Sequence, residues 1–171
     1  LLEQGRLWRP GDFPITGKAR LKTLRLTGRA PKLGDPAGLY YLSVGKGLTV
    51  FGAAGLGGGS LINAGVVLRP DLDRLRKAGW PDAVLSDGLL LKGLERAETM
   101  LGVAPVPGPE RFAKFAGMCR AAEAAGRPVQ LPPMTIAHRP GPNAAGVMQY
   151  ACRHCGDCWS GCNVGAKNTV G

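Results

Sequence analysis

The hydrophobic positions early in the chain suit β-strands. Gly38–Val44 and Leu48–Phe51 are rich in β-branched and aromatic residues, and Gly45-Lys-Gly47 separates them, which predicts a β-hairpin. We interpret residues 1–3 as the end of an earlier strand and Gly5–Pro36 as a long polar connection.

Beyond Pro81 the hydrophobic period becomes that of a helix. Apolar residues recur three and four positions apart, which predicts an amphipathic helix with an apolar face made of Leu90, Leu94, Ala97 and Leu101. A second helix is predicted from about Pro109 to Ala125, where Gly126 and Pro128 end it. Its apolar stripe is Phe112, Phe115, Ala116 and Cys119, so Cys119 is a predicted core thiol. Residues 129–131 and 134–136 are interpreted as a short strand.

The composition indicates a folded but loop-rich protein. The 171 residues, 44% of them hydrophobic, are enough for one core. The 27 glycines and 14 prolines follow no collagen-like period and so belong in turns and loops. No apolar run approaches the roughly 18 residues that cross a bilayer, and nothing resembles a signal peptide. Because the chain begins without Met, we expect an internal fragment, for which export stays open and a cytoplasmic location is favoured.

The net charge of +10 raises the question of nucleic acid. The strongest basic cluster contains no acidic residue and consists of Lys18, Arg20, Lys22, Arg25, Arg29 and Lys32. It has no interleaved aromatic residue, which nucleic-acid sites usually add. A solvated basic loop is therefore favoured, and nucleic acid is not expected as a partner.

A glycine-rich segment, Gly55-Leu-Gly-Gly-Gly-Ser-Leu-Ile-Asn-Ala-Gly65, follows the predicted hairpin. Consecutive glycines let backbone amides approach a bulky anionic ligand such as a pyrophosphate or a flavin. Leu61 and Ile62 are expected to anchor the segment in a core, while Ser60 and Asn63 supply hydrogen-bonding groups. Taken alone, the glycines are more typical of a tight or flexible turn than of a ligand site.

This segment closely resembles the first signature of the glucose-methanol-choline (GMC) oxidoreductases, nearest to their cholesterol-oxidase-like branch. The opening sequence, Leu1–Pro14, is similar to the family segment that ends the second strand of the FAD-binding fold. The resemblance implies an α/β fold, comprising part of an FAD-binding Rossmann-like domain and part of the GMC substrate domain. It also implies FAD as cofactor, bound by Glu3, Gly57, Gly58, Gly59, Ser60, Asn63, Ala64 and Val66. Glu3 is the implied acceptor of hydrogen bonds from the adenosine ribose.

The resemblance further implies a domain organisation and a reaction. Residues 1–70 correspond to part of the FAD-binding domain without its first strand and glycine turn, 71–150 to an insertion leading to the substrate domain, and 151–171 to a cysteine-rich loop returning toward the FAD domain. The implied reaction is oxidation of an alcohol or sterol-like substrate, with oxygen or another compound as electron acceptor. The family's catalytic histidine and its partner belong to a part not present here, so the chain alone is expected to be inactive.

The second motif is C-x2-C-x2-C-x3-C, formed by Cys152, Cys155, Cys158 and Cys162. This spacing is typical of iron-sulfur ligands and also suits zinc. Asn163 follows the last cysteine where ferredoxins have proline, and no second run is present. The extension Gly161–Thr169 again resembles cholesterol-oxidase-like flavoproteins. Structural or redox-active thiols, disulfides, an iron-sulfur cluster and zinc all stay open.

The two histidines of the chain are His138 and His154. His154 lies between two cysteines, where it could join a metal site. An ordinary surface or loop position is favoured for both.

Overall fold

The structure, a computed structural model, describes residues 3–29, 32–86 and 88–169. Leu1 and Leu2, interpreted above as the end of a strand, lie outside the described residues, as do Val170 and Gly171. Glu3, at the start of the described part, lies in irregular backbone.

A four-stranded sheet forms the centre of the first third of the chain. Its strands are β1 (Leu24–Gly28), β2 (Leu33–Gly34), β3 (Tyr40–Val44) and β4 (Thr49–Ala53), in the order β2-β1-β3-β4. β1 and β3 are parallel, whereas β2 and β4 run antiparallel to their neighbours. The predicted hairpin is confirmed: Val44 pairs with Thr49, and the amide of Gly45 donates to the carbonyl of Leu48 at 2.8 Å.

The interpretation of Gly5–Pro36 as a polar connection is wrong. This segment contains helix α1 (Gly17–Lys22), which is N-capped by Thr16, and it also contains β1 and β2. Arg25, placed above in a solvated basic loop, is buried. Its guanidinium donates to the carbonyl of Pro36 at 2.7 Å and to Gln4 Oε1 at 2.8 Å. Arg25 therefore stabilises contacts within the chain.

The middle part of the chain, residues 72–124, is largely helical. Its helices are α2 (Leu72–Lys77), α3 (Asp82–Ser86), α4 (Leu89–Met100) and α5 (Ala113–Ala124). α4 and α5 confirm the two predicted helices, and Gly126, with a φ of 62°, follows the end of α5. Cys119 is only half-buried rather than in the core, because the apolar face of α5 is not fully covered.

The short strand predicted over residues 129–136 is wrong. Met134 forms isolated bridges with Val66 and Ala104, and Ile136 forms one with Lys167, but no strand is formed. Pro132 and Pro133 lack amide protons and interrupt the ladder. A second small sheet pairs β5 (Gly141–Pro142) with β6 (Met148–Gln149) in antiparallel orientation.

The core joins the first residues of the chain to the sheet and to the glycine-rich segment. Its buried side chains are Trp8, Phe13, Leu39, Tyr40, Ala53, Leu61 and Ile62. The cysteine-rich segment packs onto the same unit: Asn163 Oδ1 accepts from the amides of Gly11 at 2.9 Å and Phe13 at 3.0 Å, and its Nδ2 donates to the carbonyl of Phe13 at 3.0 Å.

The mixture of helices with a small sheet fits an α/β domain. Within the described residues, none of the helices has the length and apolarity to cross a membrane.

Candidate functional site

The glycine-rich segment is a tight loop that leaves β4 and forms a 3-10 turn over Gly58–Leu61. Leu61 and Ile62 are buried in the core, as predicted, and fix the far end of the loop. Gly57 and Gly58 have φ values of 105° and 52°, which side chains rarely adopt. The backbone path therefore requires glycine at positions 57 and 58.

The two ends of the glycine run face different surroundings. A Cβ on Gly55 would lie 2.6 Å from Trp8 Cδ1, so this glycine is required by the core. A Cβ on Gly58 or Gly59 would meet no atom within 4 Å, so the loop is open there. Among the described residues, the amides of Gly57 and Gly59 have no hydrogen-bond partner, whereas Ser60 Oγ bonds to the carbonyl of Gly57 at 2.7 Å. This open side combines bare backbone with free donors.

The residues after the turn continue the exposed surface. Asn63 Oδ1 accepts from the amide of Gly65 at 3.0 Å, which is a local turn contact, and the Asn63 side chain is exposed. Within the described part of the chain, neither Asn63 Nδ2 nor the amide of Ala64 has a partner. Val66 is likewise exposed. Two hydrogen-bond donors, the Asn63 Nδ2 and the Ala64 amide, are thus followed along the chain by the exposed apolar side chain of Val66.

Glu3 lies beside Gly55, the first residue of the glycine-rich segment, in space. Its Oε1 accepts from the amide of Gly5 at 2.8 Å and from the amide of Gly55 at 3.0 Å. The hydrogen bond from Gly5, with further help from Gly55, holds the pKa of the Glu3 carboxyl below its ordinary value. Glu3 is exposed, so a charged carboxylate stands beside the glycine loop, although 52 residues separate it from Gly55.

The four cysteines of the second motif line a single cavity of about 230 Å³. His138, His154 and Lys167 also line it, together with apolar residues such as Ile136. All five cysteines of the chain are free thiols in this structure. Burial raises the pKa of Cys158, so this thiol holds its proton more firmly than an exposed one.

The histidines of this cavity differ in their contacts. His154, whose φ is 55°, donates its amide to Cys152 Sγ at 3.3 Å, and its ring nitrogen lies 2.8 Å from an Arg111 nitrogen. Both ring nitrogens of His138 are buried without a partner in the described structure. Burial lowers the pKa of His138, which favours the neutral ring. Across residues 3–29, 32–86 and 88–169, no three His, Cys, Asp or Glu side chains are arranged to hold a metal ion, and a metal at the cysteines stays a prediction.

Comparison with protein families adds the decisive observation. The model of the N-terminal domain of the GMC oxidoreductases matches residues 36–170, which is more than half of the chain and includes both motifs. The chain belongs to the GMC oxidoreductase family. The N-terminal domain of GMC oxidoreductases is their FAD-binding region, so this chain corresponds to the FAD-binding region of an oxidoreductase family. Among curated proteins, none matches the chain.

The open loop of this GMC chain fits a flavin nucleotide. A bulky planar ligand needs backbone without side chains, and the open space at Gly58 and Gly59 provides it. The backbone amides of Gly57 and Gly59 and the side-chain Nδ2 of Asn63, which have no partner among the described residues, provide donors for an electron-rich ligand. The loop therefore offers shape and donors of the kind that FAD requires.

One residue of this GMC chain was missed from the sequence. Lys167 is only 6% exposed, and its ammonium donates to three carbonyls, those of Leu61, Asn63 and Cys158. Burial lowers its pKa. A lysine in a Gly-Ala-Lys-Asn run gives no local signal of burial, because its partners lie up to 106 residues away in sequence.

Proposed function

We propose that this chain binds FAD through the loop at residues 57–66 and through Glu3, in an enzyme that oxidises the CH–OH group of an alcohol or sterol-like substrate. The observation that carries the proposal is that the amides of Gly57 and Gly59 have no partner among the described residues and stand beside the open space at Gly58 and Gly59. Bound FAD supplies the acceptor for the hydride that leaves the substrate carbon. No residue of this chain is proposed as the catalytic base, and a Rossmann-like arrangement around residues 1–70 is part of the proposal.

Each proposed residue has a role that its surroundings support. The amides of Gly57, Gly59 and Ala64 and the Nδ2 of Asn63 donate to the cofactor, while Gly58 leaves room for it. Ser60 secures the loop through its bond to Gly57, and Val66 covers the cofactor with apolar surface.

Glu3 has a separate role at the other side of the loop. Its Oε1 accepts from the amides of Gly5 and Gly55, and neither of these two hydrogen bonds uses the second oxygen. That oxygen is suited to accept a hydrogen bond from a ribose hydroxyl.

The substitution Gly59→Leu tests the loop. The φ of Gly59 is not in the left-handed region, and a Cβ on this residue meets open space. The fold should therefore accept leucine, whose side chain would fill the proposed flavin position. Gly93→Leu is the matched control, since Gly93 on α4 also has open space around it.

We expect the complete protein with Gly59→Leu to lose bound FAD and alcohol oxidation while unfolding at the same temperature as the Gly93→Leu control. Flavin absorbance per protein and oxidation of a panel of primary, secondary and sterol alcohols measure this. Full FAD occupancy in Gly59→Leu would contradict the loop assignment.

A metal at the cysteine cavity is a second candidate, which would make the protein an electron-transfer or zinc-containing one as well. The unpartnered ring nitrogens of His138 at a cavity lined by four thiols support it, and a metal would have to draw these side chains together, since no three of the described ones are arranged to hold an ion. Metal analysis of anaerobically purified protein tests it. Iron with brown absorbance indicates a cluster, and stoichiometric zinc indicates a zinc site. Absence of both metals excludes this candidate.

A further inference from the structure

Lys167 lies between the flavin loop and the cysteine cavity. Its Nζ donates to the carbonyl of Leu61 at 2.7 Å, of Asn63 at 3.0 Å and of Cys158 at 3.1 Å. An ammonium group has three protons, so these bonds use its full donor capacity. In the described part of the chain no acidic side chain forms an ion pair with it.

Burying an ammonium without a carboxylate is costly, and carbonyl dipoles must compensate for the lost water. Two of the three carbonyls belong to the same short stretch of the loop, on either side of Ile62. Substitution of Lys167 would release both of them together. Lys167 therefore contributes to the orientation of the loop between Leu61 and Asn63.

The geometry of the peptide bond carries this orientation to the exposed surface. In a trans peptide, the carbonyl and the following amide point in opposite directions. Because Lys167 holds the carbonyl of Asn63, the amide of Ala64 points away from Lys167. That amide has no partner among the described residues, so it is free for a ligand.

We propose that Lys167 is a positioning residue for the flavin loop, which aims the amide of Ala64 and the side chain of Asn63 at the cofactor. The inference rests on the proposed FAD site at residues 57–66. Lys167 itself does not touch the cofactor in this account. Its bond to Cys158 ties the cysteine segment to the same loop, so the two motifs form one unit.

The experiment compares Lys167→Met, Lys167→Gln and the control Asn168→Ala in the complete protein. Asn168 is also buried, and its side chain donates to the carbonyl of Leu101 at 2.8 Å instead of to the loop. All variants are assayed for thermal unfolding, FAD dissociation constant, flavin absorption spectrum and flavin midpoint potential.

For Lys167→Met we expect FAD to bind about tenfold or more weakly, the size of effect that loss of hydrogen bonds from a charged group produces. The flavin spectrum and midpoint potential should shift as well. Lys167→Gln retains donors and should show a smaller change in each flavin property. Asn168→Ala should lower the unfolding temperature yet leave the flavin properties as in the unsubstituted protein.

Unchanged FAD affinity, spectrum and potential in folded Lys167→Met would overturn the inference, as would equal flavin changes in Asn168→Ala. If Lys167→Met does not fold, Lys167→Gln decides on the same measurements. Failure of the unsubstituted protein to bind FAD would instead reject the proposed function, so the two failures are distinguishable.

Discussion

Gly161→Ala should destabilise the protein far more than the same change at Gly156. Both glycines lie in the cysteine-rich segment with positive φ, 98° at Gly161 and 75° at Gly156. A Cβ on Gly161 would overlap the ring of Phe13, whereas a Cβ on Gly156 meets open space. The pair therefore separates backbone strain from the packing of this segment on the core.

The magnitude follows from these two terms. Gly161 has a ψ of 158°, a backbone conformation almost exclusive to glycine, and holding alanine there costs about 1–3 kcal/mol. Displacing the Phe13 ring adds about 1–3 kcal/mol of overpacking. At Gly156 the strain alone should cost about 1–2 kcal/mol. Taking the middle of each range, we expect Gly161→Ala to lose about 2–3 kcal/mol more than Gly156→Ala.

Urea unfolding followed by tryptophan fluorescence measures the two losses, provided that both variants keep the same m-value. Adding Phe13→Leu supplies a further check, because a smaller side chain should relieve part of the Gly161→Ala penalty and make the double variant less than additive. Equal losses at Gly161 and Gly156 would refute the packing of the cysteine-rich segment against Phe13.

Two further predictions concern the contacts around this unit. Asn163→Ala removes three hydrogen bonds to the backbone near Phe13 and should cost about 2–3 kcal/mol in urea unfolding; a loss below about 0.5 kcal/mol would show that these bonds do not form. Glu3→Gln should remove part of the acid dependence of stability. Because the amides of Gly5 and Gly55 lower the pKa of Glu3 in the folded state, its contribution is present above the ordinary carboxyl pKa and is lost as the pH falls through the lowered value. Identical stability profiles below about pH 4.5 for both proteins would contradict this role.

Local patterns predicted the elements whose stability is local. The turn at Gly45-Lys-Gly47 lies between two β-rich runs, and the helical spacing of Leu90 and Leu94 marks α4, so both elements follow from neighbouring residues. The tight loop at the glycine-rich segment could also be predicted locally, because the positive φ angles of this backbone favour glycine and the glycines are visible in the sequence.

Long-range contacts decided the features that the sequence did not predict. Arg25 can be buried because Gln4 and the carbonyl of Pro36 accept hydrogen bonds from its guanidinium, and the run of basic residues around Arg25 does not indicate either partner. Lys167 is buried because carbonyls from another motif surround it. Met134 forms only isolated bridges although its neighbours favour a strand, because Pro132 and Pro133 before it cannot donate backbone hydrogen bonds.

Hydrogen–deuterium exchange of the complete protein with and without FAD tests the loop most directly. The account predicts that saturating FAD slows exchange at the amides of Gly57, Gly59 and Ala64, which have no partner in the described structure, and leaves exchange in α5 unchanged. Stoichiometric FAD binding without protection at these three amides, or no binding at all, would contradict the central claim.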